Sequence, residues 1–218
     1  MKNIFKYWCC FLYIIISVNG CANGKAKAAL ENKKLSIKNI DLRNDVAIKR
    51  DSLQNLAKEG FGLIELSIKG DTLNLVYTSS FLYYPFGKFN TPSDFIKTNK
   101  TFKETIEHDK GDPSIKLYRM SNKNNFIKLF KDDGKSNVEI ISGKVNDSEL
   151  SLINGIKIGI SRTDFLKIFF KDVPEKQVVG IKVIRLISGL EGIIHVYVFN
   201  NERLTSFYFN TDYSFDKN

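Results

Sequence analysis

Hydrophobic and polar positions alternate along much of the chain after residue 60, and this period of two predicts β-strands. Residues 63–68 alternate, Gly70 and Asp71 provide a turn, and residues 73–77 follow, so we expect a β-hairpin. The remaining strand-like runs cover residues 115–120, 126–131, 137–142, 178–187, 193–199 and 204–209.

Helices are predicted at three places between or before these strands. Pro92 stands at the start of a short apolar run, where proline is favoured in the first turn of a helix. Ser161 and Asp164 have capping-box spacing ahead of a second helix, which must end before Pro174. A further helix or turn is expected over residues 46–59.

The order of these elements repeats along the chain. Residues 93–97 align with residues 163–167, and the strand 115–120 aligns with 181–186. We therefore expect an α+β fold of tandem units, each a helix packed on a three- to four-stranded antiparallel sheet. The expected divisions are a signal peptide over residues 1–20, a basic tether over 21–45, a first unit over 46–142 and a second unit over 143–218.

The N-terminus has the pattern of an export signal. Lys2 and Lys6 precede an apolar run over residues 8–18, whose helical length of about 16 Å is roughly half of a ~30 Å hydrocarbon core. This run is therefore too short to span a bilayer stably. The four residues at its end resemble the lipobox of bacterial lipoproteins: Val18-Asn19-Gly20-Cys21.

The lipobox resemblance implies that Cys21 is acylated, with palmitate among the attached chains, and that the mature protein is a lipid-anchored protein of the cell envelope. Cys9 and Cys10 would leave with the signal, so Cys21 would have no disulfide partner in its own chain. Ala22 after the cysteine resembles the class sorted to the outer membrane, facing the periplasm. The alternative is an ordinary secretory signal that is cut after Ala22.

Positive charge is concentrated near the predicted anchor. The chain has 33 Lys and Arg against 24 Asp and Glu, a formal net charge of +9. Residues 21–50 contain eight basic and three acidic residues, whereas the rest of the body is nearly balanced. This segment would either lie on anionic headgroups or act as a solvated tether. No nucleic-acid binding is expected, because it requires a basic stripe on the folded body.

The sequence offers few groups for catalysis or metal binding. Its 43% apolar content fits a packed core, and His108 and His195 are its two imidazoles. His108 follows Glu104 at helical spacing, which we interpret as a solvated acidic patch. No catalytic, nucleotide-binding or metal-binding motif is present. We expect no enzyme activity, no cofactor and no metal.

One stretch carries a second resemblance. Residues 154–161 form an apolar, glycine-containing run that ends at Ser161, and a predicted helix and three strands follow. This arrangement resembles the small lipoprotein of the outer-membrane β-barrel assembly machinery and the repeated unit of β-lactamase-inhibitor-protein-like domains. The resemblance implies a protein-binding or scaffold module with an envelope protein as partner. The alternative is a lipoprotein that sequesters a small hydrophobic ligand or lipid between its two units.

A candidate partner-binding surface lies on the predicted sheet of the second unit. Ile194, Val196 and Val198 are expected to meet the helix, which would leave the opposite face uncovered. Aromatic residues and Arg are enriched at interaction surfaces, although Tyr also lines half-exposed sheets that have no partner. The aromatic loop 81–89 is a second candidate, unless it fills the core between the units. The expected contacts are His195 and Tyr197 on that face, joined by Arg185 and Tyr208 of the neighbouring strands, whose alternation does not define which face they occupy.

Overall fold

The structure is a computed structural model that describes residues 56–173, 175–211 and 213. The predicted signal peptide, the tether and most of the helix or turn expected over 46–59 lie outside these residues. The described part of the chain contains nine strands: β1 (Leu63–Lys69), β2 (Thr72–Tyr77), β3 (Lys103–His108), β4 (Lys116–Ser121), β5 (Phe126–Phe130), β6 (Glu139–Val145), β7 (Val183–Ser188), β8 (Ile194–Asn200) and β9 (Arg203–Asn210).

Two short α-helices lie wholly within the described residues, and their caps follow the sequence signals. Helix α1 (Pro92–Thr98) begins with Pro92 in its first turn. Helix α2 (Arg162–Phe169) begins after Ser161, whose Oγ accepts a hydrogen bond from the Asp164 backbone N–H at 3.0 Å. The predicted N-cap of α2 is therefore confirmed. Short 3-10 helices lie at Ser80–Leu82 and Glu175–Gln177.

All nine described strands join one mixed sheet in the order β1-β2-β7-β8-β9-β6-β5-β4-β3. Neighbouring strands are antiparallel except for β2 and β7, which pair in parallel over Thr72–Tyr77 and Val183–Ser188. The last three strands are thus inserted between the first hairpin and the β6-β5-β4-β3 meander. Neither helix in the described part of the chain has the length or the apolar run that crossing a bilayer requires.

The predicted α+β fold of tandem units was wrong. The described part of the chain is mostly β, with one continuous sheet and two complete α-helices of seven and eight residues. Hydrophobic periodicity correctly indicated most of the strands, but it did not indicate their partners. Strand β2 bonds to β7, which lies about a hundred residues later, and β6 bonds to β9. These long-range pairings join the ranges that the repeat had assigned to separate units.

The two faces of the sheet can be defined by one row of directly paired residues on each side. The first face is buried at every strand except the edge strand β3, and its row across the sheet is Leu66, Leu75, Leu186, His195, Phe209, Gly143, Ile127, Met120 and Glu104. The second face consists of the chain neighbours of these residues: Ser67, Asn74, Arg185, Val196, Tyr208, Lys144, Phe126, Ser121 and Lys103.

The core lies on the first face, where helix α2 and several loops cover the sheet. The Phe165 ring of α2 lies 4.7 Å from the Tyr197 ring of β8, and Phe169 lies 5.7 Å from Tyr77 of β2. An eight-residue helix is only about 12 Å long, so loops must cover the rest of a nine-stranded sheet. The loop 81–89 does this with its buried Phe81 and Phe86.

Candidate binding surface on the sheet

The four predicted contact residues divide between the two faces of the sheet. His195 and Tyr197 belong to the first face, where Tyr197 contacts helix α2. Arg185 and Tyr208 belong to the second face, and both pair directly with Val196 of β8. Because neighbouring strands lie about 4.8 Å apart, this arrangement places Arg185 and Tyr208 roughly 10 Å from each other.

His195 is a buried, neutral member of the core. Its Nε2 lies 3.0 Å from the Leu82 carbonyl, which can only accept, so Nε2 carries the proton. Its Nδ1 then accepts a hydrogen bond from the Tyr197 hydroxyl at 3.2 Å. Burial lowers the pKa of His195 to about 3, against the opposing effect of the Leu82 hydrogen bond. Burial also raises the pKa of Tyr197.

The predicted orientation of β8 was wrong. Ile194, Val196 and Val198 lie on the second face, whereas His195 and Tyr197 meet the helix. His195 and Tyr197 are 1% and 0% exposed, so a partner that docks on the folded protein does not reach them. A strand with apolar residues on both sides has no alternation that identifies its buried side, and the sequence prediction chose the aliphatic side.

The second face brings Arg185 and Tyr208 together with a lysine that the sequence analysis did not identify. Tyr208 lies on β9, the fifth of the nine strands, and is 41% exposed. Lys144 of β6 pairs directly with Tyr208 and is also exposed. The β6–β9 register links residues more than sixty positions apart, so no local sequence signal indicates that Lys144 neighbours Tyr208.

Several polar groups in the middle of the second face have no partner among the described residues. Neither Arg185 nor Lys144 forms a hydrogen bond or an ion pair with the part of the chain that the structure describes. The Oδ1 atom of Asn74, the residue paired with Arg185, is buried without a hydrogen-bond donor. A buried acceptor of this kind costs free energy unless a donor reaches it.

The second face is basic. Strand alternation and register place three acidic side chains there: Glu65, Glu107 and Glu139. Glu107 lies within 3.9 Å of Arg119 and 3.2 Å of Lys128, and Glu139 lies 2.5 Å from the Nζ of Lys135. Arg119 also lies 4.4 Å from the centre of the Phe126 ring. The basic side chains on this face are Lys69, Lys103, Arg119, Lys128, Lys144 and Arg185.

The other sequence candidates take different places. His108 lies on the exposed edge strand β3 instead of a helix, and its Nδ1 lies 2.7 Å from the Pro113 carbonyl. Phe81 and Phe86 are buried, which confirms core filling as the role of these two loop residues. Within the described residues, no three His, Cys, Asp or Glu side chains are grouped so that they could hold a metal ion.

Comparison with known proteins gave no match: no family model, no curated protein and no solved structure is similar to this chain.

Proposed function

We propose that the protein is a non-catalytic lipoprotein of the cell envelope whose folded body binds an acidic protein through the second face of its sheet. One observation carries this proposal. An exposed tyrosine, Tyr208, lies at the centre of the sheet between two basic residues, Arg185 and Lys144, that have no partner among the described residues.

The composition of this surface suits protein recognition. Tyr and Arg are enriched among the residues that contribute most to binding, and they act best where neighbouring contacts exclude water. Ile194 and Val198 are half-buried on the same face, on either side of the buried Val196. A partner that covers Tyr208 would therefore also cover aliphatic surface.

The charge of the second face favours an acidic partner. Basic side chains outnumber acidic ones on this face, and two of the acidic ones are already engaged, Glu107 by Arg119 and Lys128 and Glu139 by Lys135. A partner that presents carboxylates would find donors in Arg185 and Lys144. Charge complementarity of this kind raises the association rate and sets the orientation of the complex.

The anchor in this proposal is Cys21, which lies outside the described residues. The support for it is the sequence Val18-Asn19-Gly20-Cys21 after a short apolar run. Acylation would hold the body at the outer membrane, facing the periplasm, and the basic segment that follows would leave the sheet free to meet its partner. Cys21→Ser is expected to release the protein from the membrane fraction and to remove the mass of the acyl chains. Unchanged fractionation and mass would contradict the anchor.

Photo-crosslinking in intact envelopes tests the binding surface. A photoreactive amino acid in place of Ser206, a second-face residue next to Tyr208 on β9, should give an adduct with one defined protein. The same group at Val179, which is 77% exposed and lies outside the sheet, is the matched control and should not give that adduct.

Charge reversal identifies the chemistry of the contact. With the crosslinker at residue 206, Arg185→Glu and Lys144→Glu should each lower the adduct yield about tenfold, because each replaces a favourable charge by a repulsive one. Lys100→Glu, an exposed lysine outside the sheet, should leave the yield unchanged. Adducts with phospholipid alone would mean that this face docks on the membrane. An adduct yield that neither Arg185→Glu nor Lys144→Glu changes would exclude an acidic partner.

A further inference from the structure

A cleft on the side of the molecule away from the second face has the form of a small-ligand site. Its cavity volume is about 320 Å³, and its walls come from the loop before β1, the region of the first 3-10 helix and the loop before α2. Phe61, Phe81 and Ile153 provide apolar walls, and Ile153 is 57% exposed. Ligand pockets of small proteins begin at roughly this volume.

The cleft contains one cation whose charge is not balanced by a described anion. The Nζ atom of Lys88 lies 5.3 Å from the centre of the Tyr84 ring, and Lys88 forms no ion pair with a described residue. Glu59, the other charged lining residue, is engaged by Lys171, with Nζ and Oε1 3.2 Å apart. The unbalanced charge of the cleft is therefore positive.

An amide in the wall of the cleft also has no partner. Asn154 lies in a tight turn closed by the Leu152 N–H to Ile156 carbonyl bond at 2.9 Å, with Gly155 at a φ of 75°. Its Nδ2 atom is buried without an acceptor. Because the Asn154 side chain forms no hydrogen bond with a described residue, its amide can turn its N–H groups towards the cleft without breaking one.

We propose that this cleft binds a small carboxylate that carries a flat apolar body. The carboxylate would accept hydrogen bonds from Lys88 and from the Asn154 amide, and the apolar body would lie against Phe61, Phe81 and Ile153. A carboxylate suits this site because the Lys88 ammonium is its unbalanced charge and the Asn154 Nδ2 lacks an acceptor. A charge-assisted hydrogen bond to an ammonium is about twice as strong as a neutral one. The proposal is independent of the second face, which lies on the other side of the sheet.

The test uses 2-naphthoate as the anionic probe and 2-naphthamide as its neutral counterpart of the same shape. The full-length chain in phosphatidylcholine nanodiscs is dialysed against each probe, with empty nanodiscs as the blank. We expect saturable binding of 2-naphthoate with a Kd of about 0.1–1 mM, an affinity that a ligand of this few atoms can reach. Binding of 2-naphthamide should be about tenfold weaker.

Two variants locate the site and separate it from unspecific uptake. Lys88→Gln and Asn154→Asp should each weaken 2-naphthoate binding about tenfold, the first by removing the cation and the second by placing a carboxylate beside the ligand. Lys100→Gln, an exposed lysine outside the cleft, should bind like the unmodified chain. Equal binding of the two probes, a Lys88→Gln variant that binds normally, or the absence of saturable binding would each overturn the proposal. Thermal unfolding of each variant shows whether the fold is intact.

Discussion

The two faces of the sheet differ in composition although they are formed by the same strands. Each residue of the second-face row is the chain neighbour of a residue of the first-face row, as Arg185 is of Leu186 and Tyr208 is of Phe209. On the first face, rings contact rings: the His195 and Phe209 centroids lie 4.7 Å apart. On the second face, the exposed Tyr208 lies beside Lys144.

This difference shows that side-chain size and cross-strand neighbours determine which face is buried. An aromatic ring removes more apolar area from water than Val or Ile does, and paired rings gain a further contact energy. Strand β8 has aromatic or imidazole rings on one side and β-branched residues on the other. The rings take the helix-covered side because β9 presents Phe207 and Phe209 there. The β-branched residues remain on the half-exposed side.

The largest expected effect is a difference in stability between the alanine variants of Tyr197 and Tyr208. Tyr197→Ala should lower the free energy of unfolding by about 3–5 kcal/mol, and the melting temperature by about 6–20 °C, because its fully buried ring leaves a cavity between α2 and β8. Tyr208→Ala, the matched change on the second face, should cost less than about 1 kcal/mol. Thermal unfolding followed by circular dichroism measures both. Equal losses would mean that Tyr208 is also part of the core.

Gly143 and Lys144, which are neighbours on strand β6, allow the same comparison between a first-face and a second-face substitution. A Cβ atom at Gly143 would lie 2.7 Å from Ile127 Cδ1 and 3.0 Å from the Phe126 carbonyl oxygen. Gly143→Ala should therefore destabilise the protein by about 1–3 kcal/mol. Lys144→Ala on the second face should change stability by less than about 0.5 kcal/mol. Urea unfolding measures the stability of both variants. If Gly143→Ala leaves the free energy of unfolding unchanged, the first face is loosely packed at this position.

The third prediction concerns acid stability and rests on His195. Its pKa of about 3 in the folded protein lies below the value near 6.5 of an unfolded chain, so the unfolded state binds the proton first as the pH falls. The stability that depends on neutral His195 is present at pH 7, and about 2 kcal/mol of it should be lost by pH 5.

Urea unfolding at pH 7 and pH 5 measures this loss. His195→Phe should remove most of the difference between the two pH values, because the variant has no imidazole to protonate. His108→Gln on the exposed edge strand β3 is the control and should keep the difference. A His195→Phe variant with an unchanged pH dependence would show that another group is responsible.

The local elements of the fold could be predicted from the sequence because their signals are local. The turn at Gly70 and Asp71, the N-cap Ser161 and the first-turn Pro92 each act within a few residues, and each begins or ends an element where expected. Strand β3 was missed because Lys103–His108 has charged residues at three of its six positions and little apolar alternation. Such an edge strand is stabilised by its pairing with β4.

Strand pairing and the candidate site could not be predicted in the same way. The parallel β2–β7 pair and the β6–β9 pair depend on which apolar faces fit together in three dimensions. Hydrophobic periodicity predicts where a strand is, but it does not indicate which strand pairs with it. Arg185 and Tyr208 were selected for their residue types, and the structure places them on one face. His195 and Tyr197 were predicted because alternation places them opposite the aliphatic side chains of β8, but their side of the strand is the one that the helix covers.

The central claim is that the second face binds a protein while the first face forms the core. It is tested most directly by Tyr208→Ala in a chain that carries the photoreactive group at residue 206, with adduct yield and thermal unfolding measured on the same preparation. The account predicts that the protein adduct falls about tenfold or more, since an aromatic contact of this kind commonly contributes ~2 kcal/mol, while the melting temperature stays within a few degrees. An unchanged adduct yield, or a large drop in melting temperature, would contradict it.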